Sequence, residues 1–193
     1  MTTITFVRHG ITDHNMENRA QGHTQNPLNE TGRAQAALVA KRLAQESWDV
    51  FLSSDLRRAR ETAEIIARET GKLVDFYDER LREMDRGLIA NTIEAERVQR
   101  WGANWHELDM KQETHAMMRA RGRGFVEDIG TRFAGKKILA VTHGYFLGHT
   151  LKELMSDEST GIQMRNTSVT TLCLEDNGWC YLLYDCIRHL DES

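Results

Sequence analysis

Short apolar runs alternate along this chain with longer stretches in which apolar residues recur every three or four positions. The apolar runs cover residues 4–7, 48–52, 73–77 and 137–142. Each run has the length of a buried β-strand, and polar residues or glycine follow it. The pattern therefore predicts four short strands, the first of which ends before Gly10.

Three of the intervening stretches have the spacing of amphipathic helices. One begins near Glu30 with Asn29 as its candidate N-cap, and a second runs from a cap at Ser54 or Asp55 to Gly71. A third follows the run at 137–142 and places residues 147, 151, 154 and 155 on one face. Asparagine, serine and aspartate favour N-caps and glycine favours C-terminal ends, so these positions predict the helix boundaries.

The other segments complete an α/β pattern. Residues 93–133 have a mostly helical pattern that four glycines interrupt, and residues 168–174 and 179–184 flank the turn sequence Asp176-Asn177-Gly178. Such a turn between apolar runs predicts a closing β-hairpin. Strands alternating with helices predict a three-layer sandwich with a mostly parallel central sheet flanked by helices. The length of 193 residues fits a single domain over residues 1–193.

Composition narrows the classes of partner. The formal net charge of −4 argues against a general nucleic-acid-binding surface. No stretch approaches the roughly 20 apolar residues that span a bilayer, and the first residues lack the pattern of a secretory signal. Cys173, Cys180 and Cys186 form no Cys-x-x-Cys pair and are interpreted as buried free thiols. We therefore expect a cytoplasmic protein without nucleic-acid or membrane partners, and the oligomeric state stays open.

Polar residues directly follow three of the predicted strands, as Arg8-His9-Gly10, Ser53-Ser54 and Thr142-His143-Gly144. Ligands bind beyond the carboxyl ends of parallel strands, so we expect these groups at one rim. A neutral imidazole is a competent nucleophile, and its reference pKa of about 6.5 makes that form accessible at neutral pH. One His-Gly pair alone fits a local structural role, whereas two pairs at one rim favour catalysis.

The neighbouring residues leave alternatives open. Two histidines also suit a metal pair, but closely spaced histidine or carboxylate ligands are missing, so we expect no metal and no other cofactor. Of Arg57 and Arg58, one is expected to face the rim and bind an anion, because neighbours on a helix point about 100° apart; solvation of both is the alternative. Glu83 lies in a charged loop, and its carboxyl group is either a general acid or only a surface charge.

In their order, these blocks resemble those of the histidine phosphatase superfamily, the phosphoglycerate-mutase-like group, over essentially the whole chain. The opening Arg8-His9-Gly10-Ile11-Thr12-Asp13-His14-Asn15 is similar to the family signature Arg-His-Gly-x-Thr-x-x-Asn. The later family blocks are matched in order by Gln21-Gly22 with residues 27–36, by residues 53–63, by Leu81-Arg82-Glu83 and by Thr142-His143-Gly144.

The resemblance implies a role for each matching residue. His9 is implied as the phosphorylated nucleophile, and Glu83 as the acid that protonates the leaving oxygen and then activates water. The implied catalytic residues are His9, Glu83, Arg8, Arg58 and His143, and the implied substrate-binding residues are Asn15, Gln21, Gly22 and Gly144. Arginines and histidines supply the positive charge that a metal provides elsewhere, in keeping with the positioning and charge stabilisation that phosphoryl transfer needs.

Two departures from the family pattern concern the substrate pocket. Gln25 stands where the family often has an acidic residue, and residues 88–92 replace the usual Trp-Glu-Gly element. Arg86 is interpreted as solvated, with an extra substrate contact as the alternative. The variable helical part at residues 93–124 is expected to set specificity, and three of its arginines either attract an acidic substrate or form a solvated face: Arg119, Arg121 and Arg123.

The expected reaction is hydrolysis of a small phosphorylated metabolite, a phosphate monoester, through a phosphohistidine on His9. The alternative is a cofactor-dependent phosphoglycerate mutase that uses the same site. A mutase must exclude water and retain its intermediate, and the family's mutases do so with an inserted segment and a C-terminal tail. The short segment between Glu83 and His143, and the few residues after the hairpin, favour the phosphatase. A non-catalytic binding module on this fold is a further alternative. The presence of both a nucleophile and an acid argues against it, because a binding protein needs neither.

Overall fold

Six strands form one sheet in the computed structural model, which describes residues 1–156, 161 and 163–191. The strands are β1 (Thr2–Arg8), β2 (Val50–Ser53), β3 (Phe76–Tyr77), β4 (Lys137–Thr142), β5 (Val169–Glu175) and β6 (Gly178–Cys186). Their order across the sheet is β3-β2-β4-β1-β5-β6. The first four strands are parallel, and β5 runs antiparallel to both β1 and β6. The predicted, mostly parallel sheet is confirmed.

Among the described residues, six α-helices and four short 3-10 helices accompany the strands. The α-helices are α1 (Asp13–Met16), α2 (Glu30–Leu43), α3 (Arg57–Thr70), α4 (Glu94–Trp101), α5 (His115–Arg132) and α6 (Gly144–Met155). The 3-10 helices are Glu79–Leu81, Gly87–Ile89, Trp105–Glu107 and Arg188–Leu190. Within the described ranges, no helix combines the length and the apolar character that crossing a membrane requires.

The two faces of the sheet bury separate apolar cores, because successive side chains of a strand point to opposite faces. In β1, Phe6 packs into one core with Phe125 of α5 and Phe146 of α6. Its neighbour Val7 packs into the other core, against side chains of α2, such as Val39, and of α3. The predicted three-layer sandwich is therefore confirmed.

The predicted helix boundaries are correct at two positions and wrong at one. The side chain of Asn29 caps α2 by accepting a hydrogen bond of 2.8 Å from the backbone N–H of Gly32. Gly71 ends α3 with a φ of +69°, in the left-handed region that favours glycine. Neither Ser54 nor Asp55 caps α3; instead Gln25 Oε1 accepts from the backbone N–H of Arg57 at 2.9 Å. The cap thus comes from a distant loop, which a local pattern does not reveal.

The strand predicted at 73–77 is shorter in the structure, where β3 covers Phe76–Tyr77. Just before it, the side chain of Asp75 accepts from the backbone N–H of Phe51 at 2.7 Å, in place of a backbone carbonyl. The backbone N–H of Phe51 is therefore not available for a backbone hydrogen bond to a longer β3, and regular pairing with β2 begins only after Asp75.

Of the four glycines that were expected to interrupt residues 93–133, Gly102 does follow the end of α4, but the other three lie inside the continuous helix α5. Gly122 and Gly130 are both buried in α5. A Cβ atom at Gly122 would lie 2.0 Å from Thr150 Oγ1 of α6, and one at Gly130 would lie 2.7 Å from the ring of Trp179. These glycines therefore permit close packing of neighbouring elements, and the expectation that they break the helix is wrong.

The interpretation of all three cysteines as free thiols is also wrong. Cys173 and Cys180 lie opposite each other on β5 and β6, with their Cα atoms 5.3 Å apart, and form a disulfide. Only Cys186, which is half-buried, is a free thiol among the described residues. The predicted hairpin is confirmed, and its pairing register brings the first two cysteines together.

We expect Gly122→Ala to destabilise the protein and Gly124→Ala to stabilise it slightly. Overpacking against Thr150 costs about 1–3 kcal/mol, whereas a Cβ at Gly124 meets nothing within 4 Å. At that position, alanine improves helix propensity by about 0.8–1.0 kcal/mol. Urea denaturation of the two variants measures both changes, and equal effects of the two substitutions would contradict this packing.

Candidate active site

A cleft of about 270 Å³ lies beyond the carboxyl end of β1, where the strand pairs with β4. Seven of the nine predicted site residues line this cleft: Arg8, His9, Asn15, Gln21, Gly22, Arg58 and Glu83. The other two lie directly behind it. The ring of His143 is 5.1 Å from that of His9, and a Cβ atom at Gly144 would lie 2.9 Å from Arg8 Nε.

Hydrogen bonds fix the tautomer of His9. Its Nδ1 lies 2.7 Å from the carbonyl oxygen of Gly10, which can only accept, so Nδ1 carries the proton. The opposite nitrogen, Nε2, accepts from Arg58 Nε at 3.2 Å. The backbone is held as well, because its N–H donates to the carbonyl of Thr142 and its carbonyl accepts from the side chain of Asn166. The lone pair on Nε2 thus has a fixed position.

Both histidines are neutral at pH 7. Burial, reinforced by the charges of Arg58 and Arg8, holds the pKa of His9 well below its usual 6.5. Burial and the charge of Arg58 likewise keep the pKa of His143 well below 6.5. Because only an unprotonated imidazole nitrogen can act as a nucleophile, His9 is in the reactive form at neutral pH.

Two arginine side chains are buried beside His9 without a carboxylate within ion-pair distance in the described part of the chain. Arg58 is 1% exposed and donates to the carbonyls of Thr24 and Gly22 at 3.0 and 2.9 Å. Burial lowers its pKa to about 10, which leaves it charged at neutral pH. Arg8 donates from Nη1 to the carbonyl of Met164. A buried charge is costly unless an opposite charge compensates it, so this arrangement suits a bound anion.

Unpartnered buried atoms point to the same conclusion. Arg8 Nε and His143 Nδ1 are buried without a hydrogen-bond partner among the described residues. The other ring nitrogen of His143, Nε2, lies 2.9 Å from Ser54 Oγ. When the Ser54 hydroxyl donates to Nε2, Nδ1 carries the proton and is a donor. Both unpartnered atoms are then donors, as an anionic ligand requires.

The carboxylate of Glu83 is held at the start of α6. Oε1 accepts from the backbone N–H groups of Met84 and Phe146 at 2.9 and 2.8 Å, and Oε2 accepts from that of Tyr145 at 3.1 Å. The backbone carbonyl of Glu83 is 2.9 Å from His23 Nε2. The side chain is half-buried and lines the cleft, so it is not a simple surface charge.

The structure shows where the arginines lie for which the sequence left two interpretations open. Arg57 is exposed and pairs with Glu61 at 2.8 Å, so Arg58 alone of the two faces the cleft. Arg86 lines the cleft, which corrects the interpretation that its side chain is simply solvated. Arg121 pairs with Glu113 and binds the carbonyls of two residues, Arg80 and Arg82.

The variable helical part contributes differently from the expectation. Three of its arginines, for which attraction of an acidic substrate and a solvated face were both open, do not line the cleft; these are Arg119, Arg121 and Arg123. Arg97 of α4 lines it instead, as do several residues that the sequence did not single out: Asn18, Arg19, Ala20, Ile89, Tyr145 and Gln163. Tyr145 was detectable, since it follows His143-Gly144 in the first turn of α6. The loop residues had no local signal.

One cluster in the described part of the chain has the geometry of metal ligands, namely Cys173, Glu175 and Cys180. Two of its members form the disulfide and cannot bind a metal as thiolates. The expectation that the site works without a metal stays a prediction.

The comparisons with known proteins agree with this geometry. A model of the histidine phosphatase superfamily (branch 1) matches residues 4–186. Phosphoglycerate mutase-like protein 4 of Arabidopsis thaliana is 33% identical over 98% of this chain and 87% of its own length. The uncharacterized phosphatase PhoE of Bacillus subtilis is 31% identical over 91% of this chain and 88% of its own.

A solved structure of a similar protein has the same fold. Mycobacterial glucosyl-3-phosphoglycerate phosphatase, in a complex with VO3, superposes with a TM-score of 0.82 at 27% identity, over 94% of this chain and 98% of its own. The predicted family, fold and enzyme class are thereby confirmed, and this chain belongs to the histidine phosphatase superfamily, branch 1.

Proposed function

We propose that this protein hydrolyses small phosphate monoesters through a phosphohistidine on His9. The observation that carries the proposal is the neutral imidazole of His9, with Nε2 bonded to the buried Arg58 and with the buried Arg8 nearby, neither of which forms an ion pair in the described part of the chain. Such a site attracts a phosphate dianion and presents a nucleophile to it. The names of relatives support the class, since PhoE and the mycobacterial protein are both called phosphatases.

In the first step, Arg58 Nε turns its N–H from His9 Nε2 to an oxygen of the bound phosphate, which frees the lone pair. His9 Nε2 then attacks phosphorus and the bond to the ester oxygen breaks. Arg8, Arg58 and His143 stabilise the charge on the transferring phosphoryl group. Glu83 gives a proton to the leaving oxygen, so that an alcohol departs. Further hydrogen bonds to the substrate are proposed for Asn15, Gln21, Gly22 and the amide of Gly144.

In the second step, water attacks the phosphohistidine. Glu83, now ionised, takes a proton from the water, and the N–P bond breaks to release inorganic phosphate and neutral His9. The three backbone N–H groups that bind Glu83 keep its carboxylate in one place through both steps. One carboxylate therefore acts first as an acid and then as a base.

Two arginines of the outer cleft are not suited to the second phosphate that a mutase reaction needs. A mutase must hold a doubly phosphorylated intermediate while that intermediate reorients. Arg19 is already engaged by Glu17 and Glu96, and Arg97 by Thr92 and Glu94. These two arginines are therefore poorly placed to hold a second phosphate. Arg86 also lines the cleft, so the relative rates of phosphate release and isomerisation decide whether water is the acceptor.

A cytoplasmic location stays a prediction with reduced support. It rested partly on three free thiols, and the Cys173–Cys180 disulfide removes that argument.

We expect phosphate release from 3-phosphoglycerate and other small esters to outpace isomerisation in the presence of a bisphosphoglycerate primer. Both products can be followed in one reaction by phosphorus NMR. His9→Ala should reduce phosphate release at least about 10⁴-fold, as removal of a catalytic nucleophile does elsewhere, while circular dichroism stays unchanged. Isomerisation faster than release would establish the mutase instead.

We expect Glu83→Gln to slow the hydrolysis of alkyl phosphates about 10²–10⁴-fold and that of aryl phosphates with good leaving groups much less. The amide also places N–H donors against the backbone N–H groups that bind Glu83, which disturbs the start of α6. That disturbance acts equally on all substrates, so the ratio of kcat/KM for alkyl and aryl esters isolates proton donation. An equal loss for both would contradict the acid role.

A further inference from the structure

Arg86 lies in the catalytic cleft, close to the nucleophile. Its Cβ and Cγ atoms pack against Gly22, where an added Cβ would approach them to 3.0 Å. The carbonyl of Gly22 accepts from Arg58 Nη2 at 2.9 Å, and Arg58 Nε in turn donates to His9. Two residues, Gly22 and Arg58, therefore separate the stem of Arg86 from the residue that would carry the phosphoryl group.

An aromatic ring orients the guanidinium of Arg86. Its Cζ lies 4.7 Å from the centre of the Tyr145 ring, and the backbone N–H of Tyr145 binds Glu83. Stacking on an aromatic face leaves the edge of a guanidinium available for hydrogen bonds in its plane. Tyr145 therefore contacts the guanidinium of Arg86 through its ring and the carboxylate of Glu83 through its backbone.

Arg86 differs from the other arginines of the outer cleft in its partners. Arg19 binds the carboxylates of Glu17 and Glu96, and Arg97 binds the hydroxyl and carbonyl oxygens of Thr92. Across residues 1–156, 161 and 163–191, neither a carboxylate within ion-pair distance nor a hydrogen-bond acceptor for the Arg86 guanidinium is found. A half-buried cation of this kind is balanced when a ligand supplies the anion.

We propose that Arg86 binds a second anionic group of the substrate, either a carboxylate or a second phosphate. The preferred substrates are then small phosphate monoesters that carry another negative charge. This inference rests on the proposed hydrolysis at His9. A planar guanidinium suits both anions because it offers two parallel N–H groups to two oxygens. The cleft volume of about 270 Å³ keeps such a substrate small.

Matched substrates test this inference. Phosphoglycolate and ethyl phosphate differ by the carboxylate, and propanediol bisphosphate and hydroxypropyl phosphate differ by the second phosphate. We expect the protein to prefer the more highly charged partner in at least one pair by about 10–100-fold in kcat/KM, the usual effect of a hydrogen-bonded charge. The pair that shows the preference identifies the anion.

Three variants assign the preference to Arg86. Arg86→Gln should abolish it, mainly through a higher KM for the more highly charged ester, and Arg86→Lys should restore part of it because it keeps the charge without the planar fork. Arg123→Gln is the matched control, since Arg123 is exposed on α5 and pairs with Glu127. It should keep the wild-type preference.

Binding to His9→Ala, measured by calorimetry, tests the inference apart from turnover. Phosphoglycolate or the bisphosphate should bind more tightly than its matched ester, and adding Arg86→Gln should remove the difference. Equal binding of all esters, or an equal loss for both members of each pair, would overturn the role of Arg86. If the wild type hydrolyses none of these esters but the binding difference is present, the proposed reaction is refuted and the role of Arg86 stands.

Discussion

The site depends on two buried guanidinium groups that form no ion pair with a carboxylate in the described part of the chain. Arg8 and Arg58 are held by backbone carbonyl groups, which orient them without cancelling their charge. The same charges, with burial, hold the pKa of His9 well below 6.5 and keep its imidazole neutral. One electrostatic arrangement therefore provides both the attraction for a phosphate dianion and the unprotonated nucleophile that receives it.

The sheet makes this arrangement possible. Arg8 is directly opposite Thr142 in the parallel pairing of β1 and β4, so the residues that follow each strand, His9 and His143, meet beyond the same edge. Apolar cores on both faces fix the strands, and the polar side chains of the site follow the carboxyl ends of β1 and β4. Glu83 reaches this edge because Thr142 Oγ1 donates to the carbonyl of Leu81 just before it.

The sequence predicted the fold and most of the cleft because those features follow from local patterns. Strand-end motifs are local, so His9 and His143 could be found, whereas the stacking of Arg86 on Tyr145 arises from loops that pack together only in the folded chain. The role of Gly122 was missed for a similar reason, since its neighbour Thr150 is on another helix. The disulfide was within reach, because a two-residue turn at Asp176-Asn177 places Cys173 opposite Cys180.

The central claim is that His9 receives the phosphoryl group from substrate. Rapid mixing of the wild-type protein with excess aryl phosphate, a basic quench and mass spectrometry of the proteolytic peptides measure it directly. A single phosphoryl group on His9, lost on acid treatment and absent from His9→Ala, is the result that this account predicts. Normal product formation with no covalent phosphate at any time, or with phosphate on a different residue, would contradict it.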